Sequence, residues 1–172
     1  MTSPIPQNSV DRIAGILGAL VPVLALVWVL RLPMRAGLLV FPEQVAAVML
    51  AVSLAAIFLR TRGRGGFPVA LDIVLSVTSL GLGVWVFARF QVLSEMAVFH
   101  PVEALILGAL VVGLVMDGLR RVIGWTLVVI FGLFMAYALW GNHVPDPMSG
   151  RAIPLAQVLR FLGSDSSATW GA

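Results

Sequence analysis

Residues 117–125 read D-G-L-R-R-V-I-G-W and separate two apolar runs, residues 104–116 before them and 122–137 after them. Charges at the centre of a bilayer are costly, so Asp117, Arg120 and Arg121 belong at a membrane face, in a cavity or against a partner. Where they sit decides how many times the chain crosses. One unbroken helix from Pro101 to Trp140 would be about 60 Å long, twice the roughly 30 Å of a hydrocarbon core. Either D-G-L-R-R is a tight turn between two spans, or the first run lies along the surface.

Composition places the whole chain in the same setting. Hydrophobic residues make up 60% of the 172 positions and charged residues 11%, and the mean hydropathy is +1.03. Soluble domains carry about twice that share of charge, so the composition indicates an integral membrane protein read as one membrane domain over residues 1–172. All eleven basic residues are Arg. A phosphate-cradling P-loop Lys and a Schiff-base Lys are thereby excluded, and ATP-driven work would need another subunit. The net charge is only +3 and the Arg residues flank apolar runs, which is a topology signal rather than a nucleic-acid footprint. With no Cys there is neither a disulfide nor a thiolate metal site.

Five transmembrane helices are expected, at about residues 11–30, 42–59, 68–90, 101–119 and 122–140. The first apolar run, residues 13–30, exceeds a usual signal-peptide core and is read as a retained helix. Small residues four apart, Ala14 with Gly18 and Gly15 with Ala19, suit close helix contact. Pro42 and Glu43 suit the first turn of the second helix. The loop R-T-R-G-R-G-G at residues 60–66 places Arg60, Arg62 and Arg64 together without an acid. By the positive-inside rule it is cytoplasmic, and so is the N-terminus. If every later segment spans, Arg120 and Arg121 return to the cytoplasmic side, which favours five crossings. Trp85 and Arg89, and later Tyr137 and Trp140, mark the opposite interface. The tail is then periplasmic. Within it Leu155, Val158, Leu159 and Leu162 form the apolar stripe of a short amphipathic helix over residues 152–162.

Little in the sequence carries chemistry. His100 and His143 have no second His at helical spacing, and neither a zinc-protease nor a nucleophile-elbow motif occurs. No catalytic, cofactor-binding or metal-binding residue is assigned. Asp72, one turn into the third helix, has two readings: a carboxylate at a helix start reaching water or an Arg of the loop, or an ion-coupling group in the membrane. The first is preferred because the depth is shallow. Asp117 and Arg121, four apart, suit a pair on one helix face. Internal repeats expected of an autonomous carrier are missing, so the residues point to a non-catalytic membrane module that needs a partner.

The last third resembles a known family. R-R-V-I-G-W at residues 120–125, F-M-A-Y-A-L-W-G at 134–141, Pro145, R-A-I-P-L-A-Q-V-L at 151–159 and S-S-A-T-W-G at 166–171 look like the small-subunit region of TRAP (tripartite ATP-independent periplasmic) transporters, in the branch served by TAXI-type binding proteins. The resemblance implies an all-α fold of a four-helix unit followed by a linking fifth helix. It implies a scaffold in a bacterial or archaeal inner membrane that grips a large carrier subunit of about twelve helices, with a periplasmic binding protein delivering an organic-acid-type solute and an ion gradient driving uptake. The coupling-ion and substrate sites of that family lie in the large subunit, so none is carried to this chain. Asp117, Arg120, Arg121, Gly124 and Trp125 are the interface candidates. Competing readings are the small subunit of a tripartite tricarboxylate transporter, a small intramembrane enzyme, and a structural membrane protein outside transport.

Overall fold

The computed structural model describes residues 7–37, 39–63, 68–96, 101–143 and 153–158, with side chains described except at 7, 8, 90–96, 101, 103 and 104. Among the described residues there are helices and no strands. In order they are α1 (Gln7–Val29), α2 (Leu32–Arg35), α3 (Pro42–Arg60), α4 (Val69–Met96), α5 (Pro101–Val122) and α6 (Trp125–Trp140), the last running into a 3-10 turn at Gly141–His143. A further helical turn covers residues 155–158. The chain divides into two units between Leu93 and Ser94, within the last turn of α4.

In the first unit α3 is central. Its end meets the start of α1, where Leu59 packs with Val10 and Ala14, and Leu17 and Ile73 close over them. The two helices are therefore antiparallel. Along α3, Ala47, Ala51 and Ala55 recur every four residues and are all buried. Facing them on α4 are Ser76, Ser79 and Gly83, so two small-residue stripes bring the backbones together. The Ser76 hydroxyl donates to the Ala55 carbonyl (3.3 Å), and Ser79 donates to Ala51 (3.4 Å) and to Ser76 (2.8 Å). A Cβ at Gly83 would overlap that of Ala51 and stand 3.5 Å from the Ala47 carbonyl oxygen. At the far end the Gln44 amide donates to the Phe87 carbonyl (2.8 Å), while its oxygen accepts from the Phe41 amide (3.0 Å) and so holds the first turn of α3. On α1 the small pair Ala14 and Gly18 lies against Leu59 and Arg60 of α3, while a Cβ at Gly15 of α1 or Gly81 of α4 would meet nothing within 4 Å.

Helix ends differ from the sequence expectation: α1 starts at Gln7 rather than 11, and α6 at Trp125 rather than 122. The connection after α1 contains α2, started by Pro33 in its first turn after Arg31 turns the chain with φ 52°. Helix α4 continues to Met96, beyond the expected end near 90, because Q-V-L-S-E-M holds no Gly or Pro to stop it. Helix α5 runs to Val122 rather than 119, so Arg120 and Arg121 lie in its last turn and not in the turn between helices. Of the tail helix expected over 152–162, residues 155–158 are helical; 152 and 159–162 lie outside the described residues, as does Arg64.

Among the described residues four helical segments are long and apolar enough to cross a membrane: Ser9–Val29, Pro42–Arg60, Val69–Arg89 and Trp125–His143. Within them 44% of the α3 window is buried, against 6% for α1 and for α6. Helix α1 thus leaves Ile13, Ile16, Val23 and Leu26 uncovered, and α6 leaves Leu133 and Phe134 uncovered. Such continuous apolar surface needs lipid or protein against it.

Candidate functional site

Among the described residues the ion pairs fall in two places, both at helix ends. In the second unit, the Asp117 carboxylate receives Arg120 (2.8 Å, three residues on) and Arg121 (2.7 Å, four residues on). Helical spacing puts all three on neighbouring rows of one face, so the pairs form within the last turn of α5. Two cations also suit the negative end of the helix dipole. The two Arg differ in setting. The Arg121 side chain is 1% exposed, whereas Arg120 is 26% exposed and lies 5.6 Å from the centre of the Trp125 ring across the helix break. A cation over an indole face contributes roughly 0.5–1 kcal/mol at exposed sites.

The break itself is two residues long. The amides of Ile123 and Gly124 both donate to the Leu119 carbonyl (2.9 and 3.3 Å), closing α5, and Gly124 then takes φ 95° and ψ −169° before α6 begins at Trp125. That backbone region is open to glycine and strained for other residues. The five residues singled out as interface candidates are therefore contiguous in space. They form a charge-locked helix end, a glycine turn and an aromatic lid.

In the first unit, Arg62 pairs with Asp11 (2.8 Å) and donates to the Leu59 carbonyl (3.2 Å), tying the loop to the start of α1. Asp72 is fully buried, and its carboxylate accepts from the amide of Gly63 (2.8 Å), a residue at φ 72°. Asp72 thus pins the Arg loop onto the first turns of α4. The preferred reading has the carboxylate reach water or an Arg of the loop; it is instead fully buried and reaches the loop through a backbone amide. Arg60 is exposed and lays its guanidinium against Gly18 of α1.

Sequence reasoning missed Gln44, Ser76 and Ser79. The signal was present: Ser76, Ser79 and Gly83 repeat at three and four residues, in step with the Ala47, Ala51 and Ala55 stripe. Ala109 and Gly113, four residues apart on α5, are both exposed. His143 is exposed and bonded to Asn142 (2.8 Å); His100 lies outside the described residues. Among the described residues no group of three or more His, Asp or Glu is arranged to hold a metal ion.

Over the described residues, fold and site together define an all-helical protein with four helices suited to crossing a membrane, whose ion pairs lock helix ends. Compared with protein-family models, with characterised proteins and with solved structures, the chain matches none.

Proposed function

We propose that the chain is the small scaffold subunit of a TRAP-type secondary transporter. In this reading it crosses a bacterial or archaeal inner membrane five times, with α5 as the fourth span, α6 as the linking helix, the N-terminus inside and the tail outside. Its partners are a large carrier subunit of about twelve helices, a periplasmic binding protein and the surrounding lipid. The solute is of organic-acid type and an ion gradient drives it; the chain itself contributes position rather than chemistry.

The observation that carries the reading is α6. It is uniformly apolar, has no buried residue, and begins at the R-R-x-x-G-W motif on which the family resemblance is strongest. A helix so uncovered needs a neighbour, and a charge-locked turn at its start fixes its departure from α5. The 22 residues of α5 make about 33 Å of helix, enough for a core of about 30 Å. The test is co-expression with a neighbouring carrier gene followed by purification in mild detergent. The scaffold reading requires the two chains to elute together; separate elution refutes it, and a tricarboxylate-type carrier as the bound partner would select the competing transporter family.

A further inference from the structure

The tail returns to α6 and is tied to it. The Ile153 amide donates to the Ala138 carbonyl (3.2 Å), in the last turn of α6, where carbonyls run out of partners within the helix. Ala138 lies about 7–8 Å of helix inside the end of the apolar segment Trp125–His143. Amphipathic segments settle at that depth, about 5–10 Å into the boundary of headgroups and acyl chains. Beside the bond, the two segments flank a cavity of about 440 Å³. Phe131, Phe134, Met135 and Ala138 line it from α6 at spacings of three and four, so they form one helix face. Ile153, Gln157 and Val158 line it from the tail.

Water does not suit this space, since it needs about two to four polar partners and Gln157 is the only polar side chain among the described lining residues. A partner helix is too wide. From Phe131 to Ala138 α6 rises about 10 Å, so a groove of this length and volume is about 6–7 Å across, against about 10–12 Å for a helix with its side chains. An extended hydrocarbon chain fits, and a bilayer supplies such chains along the apolar length of α6. We infer that the groove takes one acyl chain of a membrane glycerolipid, with the Gln157 amide donating to its ester carbonyl. The volume falls within the roughly 300–1,000 Å³ of small-molecule sites, and an apolar wall with one placed polar group is their usual make-up. Gln157 is exposed and uncharged, so the contact selects a neutral acceptor and is indifferent to the charge of the headgroup. The site stands on α6 crossing a membrane and not on the transporter reading, because both walls belong to this chain.

The test places the full-length chain in phosphatidylcholine bilayers doped with a phosphatidylcholine that carries a diazirine within one acyl chain. After irradiation, peptide mass spectrometry should find the groove face of α6 and residues 153–158 labelled about threefold above exposed positions of α1 such as Val23 and Leu26, the scale of one hydrogen bond made in a bilayer. Gln157→Leu should remove that excess, and so should an ether-linked analogue of the labelled lipid, which lacks the carbonyl. Ala138→Trp, which fills the groove, should abolish labelling of the tail, whereas Leu133→Trp, on the opposite side of α6, should leave it unchanged. Phosphatidylglycerol carrying the same label should give the same pattern. Circular dichroism confirms that each variant is folded, and Gln157→Leu, at an exposed position, carries the test alone if Ala138→Trp is not. Even labelling of α1 and α6 in the wild type overturns the site and leaves only lipid that surrounds the helices. Labelling unchanged by both Gln157→Leu and Ala138→Trp overturns it as well, and a preference for the anionic lipid would overturn the neutral contact.

Discussion

Gly83→Ala tests the packing of α3 on α4 where it is closest. The added Cβ meets the Ala51 Cβ, the Ala47 carbonyl oxygen at 3.5 Å and the Val48 Cα at 3.8 Å. None of these atoms can rotate away, so the helices must part, and overpacking of this kind costs about 1–3 kcal/mol. Parting the helices also breaks the bonds of Ser76 and Ser79 to α3, which at 3.3 and 3.4 Å are already long. Each is worth about 0.6 kcal/mol in a membrane protein, which brings the loss to about 2–4 kcal/mol. Replacing Gly by Ala within a helix returns about 1 kcal/mol. Gly81→Ala has the same gain and no contact to break, since nothing lies within 4 Å. The two variants should therefore differ by about 2–4 kcal/mol in unfolding free energy, with Gly83→Ala the less stable. A reversible titration with sodium dodecyl sulfate in mixed micelles, followed by far-ultraviolet circular dichroism, measures this. Unfolding of both variants at the same detergent fraction would refute the close approach.

The charged residues give further expectations. Asp117→Ala removes the carboxylate that pairs with the buried Arg121 guanidinium and should cost about 3–5 kcal/mol in the same titration, while Arg120→Gln, at a half-open position, should cost under about 1 kcal/mol; equal effects would refute the unequal burial. Asp11→Asn removes a pair whose acid is 64% exposed and should change stability by less than about 1 kcal/mol. Asp72→Asn keeps an acceptor for the Gly63 amide, whereas Asp72→Leu removes it and should cost about 1–3 kcal/mol. If transport by the assembled complex fails in Asp72→Asn at normal assembly, Asp72 is an ion-coupling group and not a pin.

The helices were legible because each is a long apolar run between charges, and Pro42 marked the start of α3 to the residue. Their ends were harder to read. A charged pair such as Asp117 with Arg121 reads equally as a loop or as the last turn of a helix, and only the Gly124 backbone shows where α5 stops. The absence of a breaker after Phe90 was visible and carried less weight than the Gln and Glu of an expected loop. The α3–α4 seam was written in small residues on both helices, but an Ala or Gly stripe does not say which of several faces will be used: Gly83 packs and Gly81 does not. Arg60 appeared as one of three equivalent loop cations. Its separate placement follows from Gly18, more than forty residues away in the chain, and no local pattern contains that pairing.

The central claim is that α6 and the turn before it exist to meet a larger membrane partner. Site-directed photocrosslinking from Leu133, an exposed position on α6, in cells that express the chain together with its neighbouring carrier gene tests this most directly. A crosslinked species containing the carrier, lost when Asp117 is replaced by Ala, is the expected result. Crosslinking to lipid alone, with a carrier that transports normally when this chain is deleted, would contradict the account.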